Sequence, residues 1–204
     1  MVLSETGDPG RRERKLQQQR DHLADTAWGL FEAEGFEAVT MERIAELADV
    51  SKVTLYRYFP VKEALLRHRF HRELWQAWPA LQQELTGFPA GRARLLHFLE
   101  RHAAWCESRR PFLLPYVLFR MSDVLRPEAG RERSGMDRLI GEIIAQGQAA
   151  GAFRSDIAAP ILTMHFQFAH LAVMLRWLTM DGLSLIGELG QMLDLFCNGM
   201  RSPA

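Results

Sequence analysis

Apolar positions recur at helical spacing along almost the whole chain. Leu23, Ala27, Leu30 and Phe31 form a first stripe, and Gly35 with Phe36 supplies a left-handed stop and the hydrophobic contact that follows it. Thr40 is placed to cap a second helix, whose buried stripe is read as Ile44, Leu47 and Ala48. The run "ADVS" is a tight turn in which Asp49 tolerates a left-handed conformation. Ser51 caps a third helix that ends at Pro60, and a fourth is predicted from Lys62 to Trp78, stopped by Pro79. Further helices are predicted near 91–108, 111–122, 133–150, 157–180 and 184–199, separated by Gly-, Pro- or charge-rich breaks. No alternating β-branched run suggests a sheet. The expected fold is all-α with about nine helices. Its expected parts are a disordered basic arm over 1–14, a three-helix helix-turn-helix domain over 15–62 and a helical domain over 63–204.

Within that pattern, residues 39–60, "VTMERIAELADVSKVTLYRYFP", are unusual. Two short helices joined by a turn of about four residues make a helix-turn-helix, in which the second helix lies in the DNA major groove. Leu55 and Phe59, at i and i+4, are predicted to anchor that helix to Ile44, Leu47 and Val50. Lys52, Val53, Thr54, Tyr56, Arg57 and Tyr58 are left for its outer face and edges. Hydroxyls and cations there suit phosphate oxygens, and Arg57 is able to reach a guanine edge.

Composition narrows the partners. The 204 residues carry 25 Lys and Arg against 25 Asp and Glu, so no global field draws the chain to a polyanion. Residues 1–70 hold 11 basic and 12 acidic side chains, so DNA binding must rest on the patch from Ser51 to Arg69 and on the arm, whose basic end is Arg11, Arg12, Arg14 and Lys15. Cys106 and Cys197 read as reduced thiols. The N-terminus lacks the apolar stretch of a signal peptide, and the most apolar run, "ILTMHFQFAHLAVMLRWL", carries two histidines and an arginine. A soluble, cytoplasmic protein without a cofactor is expected.

The stretch "TMERIAELADVSKVTLYRYFPVKEALL", preceded by "AWGLFEAEGF", resembles the TetR family of transcriptional regulators over residues 21–66, and "GQAAGAFRSDIAAPILTM" resembles it more weakly. The resemblance implies an all-α homodimer, with an N-terminal DNA-binding domain and a C-terminal domain for ligand binding and dimerisation. It also implies repression that a small molecule relieves. By position, Thr40 matches a capping residue that contacts phosphate, and Lys52, Val53 and Thr54 match the start of the base-reading helix. Tyr56 and Tyr58 match phosphate-binding positions, Arg57 serves either role, and Lys62 matches a lysine that grips a phosphate. Asp49 and Val53 stand where the family often has glycine, and Val61 replaces a serine-like cap. Val53 is thereby able to meet a thymine methyl, which would alter the sequence read.

In the C-terminal half, the helix from Ile157 to Met180 is apolar nearly all round and must be buried on several sides. With the last helix, which carries Leu185, Leu189, Met192, Leu193 and Phe196, it is expected to form a four-helix interface between two copies. Trp105, Phe112, Tyr116, Phe119, Met121, Met164 and Phe166 are candidates to line an apolar ligand pocket. His97, His102, His165 and Gln167 are candidates to orient its occupant, although aromatics of this kind also build ordinary cores. The fourth helix, with Leu74, Trp75 and Trp78 at its far end, is the expected lever between pocket and DNA. Enzyme chemistry finds no support: no phosphate loop, nucleophile elbow or H-E-x-x-H pair is present. His68 and His71 share a helix face, but nothing completes a metal site, and they read as a solvated pair. The rival is a regulator of the same fold controlled by a partner protein.

Overall fold

The computed structural model describes residues 10–124 and 135–199. Among them the chain forms nine helices and no strand: α1 (Arg11–Glu34), α2 (Met41–Leu47), α3 (Lys52–Tyr58), α4 (Lys62–Thr86), α5 (Arg92–Glu107), α6 (Arg110–Val124), α7 (Met136–Ala149), α8 (Ala159–Thr179) and α9 (Leu185–Gly199). The chain divides into a unit ending at Phe70 and a second beginning at His71. The sequence placed this boundary at 62/63. The first turns of α4 instead bury Leu65, Leu66 and Phe70, with the Phe70 ring edge-on to Trp28 at 5.7 Å.

In the first unit, α1 packs on α2 and α2 on α3. Leu23, Ala27, Phe31, Ile44, Leu55 and Phe59 are its buried centre. The helix α1 begins at Arg11, so the basic end of the expected arm is helical. Its run of Arg, Lys, Gln and Leu favours that state. Residues 1–9 of the arm lie outside the described residues.

In the second unit, α5 lies on α7 and α9, and α8 on α6, α7 and α9. Gly91 and Gly147 bring α5 and α7 together: their Cα region is closed by the Phe153 ring, and a Cβ at Gly147 would collide with that ring. The loop after α7 is pinned by Gln148, whose Nε2 donates to the carbonyls of Arg154 and Ile157, each at 2.7 Å. The segment of weaker resemblance therefore has a structural task.

Two expectations are corrected. Helix α4 does not stop at Pro79 but runs to Thr86. Proline removes one backbone hydrogen bond and costs about 3 kcal/mol in a helix interior. Contacts downstream offset that loss: Leu85 is buried, and Glu84 pairs with His97 at 2.9 Å and Arg101 at 3.4 Å. Leu47 is 54% exposed rather than part of the buried stripe, because it falls at the last turn of α2, where the chain swings into the left-handed turn at Asp49 (φ 52°).

Candidate functional site

The first unit positions α3 by a short chain of local choices. Thr40 accepts from the Arg43 backbone N–H at 3.2 Å and starts α2. Asp49 makes the turn, with Val50 N–H donating to the Ala45 carbonyl at 3.0 Å. Ser51 Oγ then accepts from the Thr54 N–H at 3.1 Å and lies 2.9 Å from the Thr54 hydroxyl. With Leu55 and Phe59 fully buried as anchors, the remaining faces of α3 point to water: Ser51, Lys52, Val53, Tyr56 and Arg57 are exposed, and Thr54 and Tyr58 half-buried. Val53 is 80% exposed. The Lys52 ammonium sits 3.5 Å from Glu42, and the Arg57 guanidinium lies over the Tyr58 ring at 5.3 Å.

Lys62 behaves differently from the rest of the set. Its Nζ donates to the carbonyls of Phe36 (2.7 Å), Val39 (3.2 Å) and Glu37 (3.3 Å), above the Phe36 ring at 4.4 Å. An ammonium has three N–H groups, and here they close the α1–α2 loop. A phosphate at this position would compete with those carbonyls.

His68 and His71 are not a solvated pair. In the first unit His68 Nε2 lies 2.7 Å from an Asp21 carboxylate oxygen and its ring is edge-on to Phe59. In the second, buried His71 lies 3.1 Å from the Tyr116 hydroxyl. Among the described residues no group of three or more His, Cys, Asp or Glu is placed to hold a metal.

The second unit contains a cavity of about 370 Å³. Of the pocket candidates, it brings together His102, Trp105, Tyr116, Met121 and Gln167. It leaves out His97, Phe112, Phe119, Met164, His165 and Phe166. His165 is exposed, and Phe166 is fully buried edge-on to Phe196 at 5.1 Å. The sequence reading missed His170, Met174, Leu171 and Phe168 on α8, and Arg120 on α6 and Asp137 on α7. Leu74, expected only as part of the lever, also lines the cavity. Spacing held the signal for α8: Leu162, Phe166, His170, Met174 and Trp177 recur every three or four residues and form its buried face.

His102 and His170 lie with ring centroids 4.9 Å apart. Burial pushes His170 down to about 4; burial, with the neighbouring His170, pushes His102 down to about 3. His102 is stacked between Phe98 and Trp105, with Nε2 at 3.4 Å from the Cys106 sulfur. Burial also raises the Cys106 thiol far above its ordinary range, so it stays protonated. His170 Nε2 is buried with no hydrogen-bond partner among the described residues. Trp105 Nε1 donates to the Glu73 carboxylate at 3.0 Å, and Arg109 Nε donates to the same oxygen at 2.8 Å.

Residues 23–68 match the family model described as bacterial regulatory proteins, tetR family. The chain is 43% identical over 164 residues to the HTH-type transcriptional regulator RutR of Escherichia coli (strain K12), covering 78% of this chain and 73% of that protein. It is 47% identical over 55 residues to the HTH-type transcriptional regulator TcmR of Streptomyces glaucescens, but spans only 24% of that protein's length and 27% of its own. Its fold matches the crystal structure of Thermus thermophilus FadR, a TetR-family transcriptional repressor in complex with lauroyl-CoA, with a TM-score of 0.77 and 25% identity over 91% of this chain and 96% of that one.

Proposed function

Because the chain belongs to the TetR family of transcriptional regulators, we propose that it is a homodimeric DNA-binding repressor, released from a palindromic operator when a small, largely apolar molecule enters the cavity of its second unit. The first unit binds DNA, and the second binds the effector and dimerises. The observation that carries this reading is the split character of α3, with Leu55 and Phe59 wholly buried and hydroxyls and cations turned outward. Such a surface is costly to desolvate against protein and well suited to phosphate. Val53 and Thr54 at its start read bases; Ser51, Thr40, Tyr56 and Tyr58 hold phosphates; Lys52 and Arg57 serve either.

Dimerisation through α8 and α9 is supported by the apolar side chains these helices leave in water: Ile161 (48% exposed), Met164 and Leu195 (77% exposed). Two recognition helices about one helical turn apart require two copies. Among the described residues no helix is long and apolar enough to cross a membrane, and work on an operator places the protein in the cytoplasm.

Three cavity-side contacts fall on α4: Leu74 lines the space, His71 meets Tyr116, and Glu73 holds Trp105. A ligand that shifts Tyr116 or Trp105 therefore acts on the helix that begins at Lys62, beside the loop to α2. The ligand favours the conformation in which the two recognition helices no longer fit the duplex. The lauroyl-CoA complex of the Thermus thermophilus repressor supports ligand response in this fold.

A gel shift with DNA from upstream of the protein's own gene tests the reading. Retardation that fades with salt and is reversed by a small apolar molecule is expected. Retardation reversed only by a second protein would favour regulation by a partner, and no retardation at low salt would end the DNA-binding proposal.

A further inference from the structure

Resting on the DNA-binding reading above, we infer that Lys62 is the positioning residue that ties the entry of α2 to the first turn of α4, and that it serves operator binding in this way rather than by holding a phosphate. Only Phe59, Pro60 and Val61 separate the end of α3 from the start of α4. The recognition helix is thus joined to α4 through the chain itself. The entry of α2 has no such link, because residues 35–40 lead into it from α1. Lys62 supplies one. Its Nζ, at the first residue of α4, donates to the carbonyl of Val39, the residue before the Thr40 cap, and to those of Phe36 and Glu37. Both ends of the α2–α3 pair are therefore fixed to one turn of helix, and a displacement of α4 carries the pair with it.

Three observations favour this role over a phosphate contact. An ammonium has three N–H groups, and three carbonyl oxygens lie within 3.3 Å of this one. The Phe36 ring stands 4.4 Å from the same nitrogen, and Phe36 and Val39 are themselves buried, so the acceptors sit on a loop that the core holds in place. Helix α1 has no basic residue in its last turn, although the C-terminal end of a helix carries a partial negative charge; Lys62 brings the missing cation from α4. Turning the ammonium to a phosphate would strip those bonds from part-buried carbonyls, at a cost that a solvated lysine does not bear. Lys52 is such a lysine: its side chain is 63% exposed and its carboxylate partner stands 3.5 Å away. The two cations thus act on the operator by different routes, one through charge and one through placement. Salt distinguishes them, because only a phosphate contact releases counterions.

Fluorescence anisotropy of the full-length protein on DNA from upstream of its own gene, across a salt series, tests this with Lys62→Met and Lys62→Gln. All titrations are run well below the melting temperature of each variant. Both variants are expected to bind about tenfold or more weakly than the parent, along a line of log affinity against log salt parallel to the parent's. Hydrogen exchange should quicken over residues 36–43, where the loop and the first turn of α2 have lost their tie. A lost phosphate contact would instead flatten the line by about one and leave that exchange unchanged. A residue with only a structural role would lower the melting temperature and leave the affinity of the folded protein as it was. A flattened line, unchanged affinity, unchanged exchange over 36–43, or failure of both variants to fold would each overturn the inference. The parent's own titration decides the reading beneath it. Absence of parent binding at low salt ends the DNA-binding proposal, whereas a parent that binds, with variants that match it, ends only the role given to Lys62.

Discussion

Lys52 shows how much a single side chain on α3 is free to do. Its stem is anchored only by a loose pair with Glu42 at 3.5 Å, and its side chain is 63% exposed, so exchange of that carboxylate for a phosphate is easy. Lys52→Ala is expected to lower the slope of log affinity against log salt by about one, weakening binding to all sequences alike. Fluorescence anisotropy across a salt series measures it; an unchanged slope would remove Lys52 from the phosphate set. The buried histidines give a second residue-scale expectation. Above the ordinary value of 6.5, His102 and His170 are neutral in folded and unfolded chains alike. Below it the unfolded chain binds protons that the folded one refuses until about 3 and 4. Stability therefore falls as pH drops below 6.5, by up to about 1.4 kcal/mol per pH unit for each ring. Melting temperatures from pH 7 to pH 5 should show a steeper decline for the parent than for a His102→Leu, His170→Leu double variant. At this scale the sequence was legible where a short polar helix must be nailed down, as at Leu55 and Phe59. It was opaque along α8, where an almost unbroken apolar run hides which side faces in. There His165 was chosen, although His170 lies on the buried face.

The nine helices of the described residues could be read at the level of elements because periodicity and caps agree: Thr40 and Ser51 both accept the backbone hydrogen bonds expected of them. The error at Pro79 came from a local rule overruled by contacts far away in sequence, Leu85 in the core and Glu84 against His97. Such contacts cannot be seen in a window of neighbouring residues. The junction of α5 and α7 was equally hidden, since a glycine inside a helix looks merely unfavourable. Gly147→Ala should place a methyl in the Phe153 ring and cost about 1–3 kcal/mol, read from denaturant unfolding. Adding Phe153→Leu should recover part of it; full stability of the single variant would mean the ring swings aside freely.

For the whole molecule, the distribution of charge and oil matters more than its total. With 25 basic and 25 acidic side chains, the proposed operator binding would draw its strength from two copies acting together, and the exposed apolar residues of α8 and α9 are where those copies are proposed to meet. Ile161→Glu, at a position 48% exposed and outside the cavity, should leave helicity intact. It should shift the protein towards monomer in light scattering and weaken operator binding at least tenfold. A dimer of unchanged stability would move the interface elsewhere. The cavity itself was only partly foreseen, because it is assembled from α4, α5, α6, α7 and α8 at once, and no single stripe of residues announces it.

The clasp at Lys62 has a consequence for how the DNA-reading surface could be switched off without touching it. One amine fastens three carbonyls of the strap that leads into Thr40, and its grip depends on being both charged and fully protonated. Acylation of that nitrogen would leave at most one N–H for the three oxygens and unbuckle the strap. The reading head would then lose its footing although every group that meets the duplex was still in place.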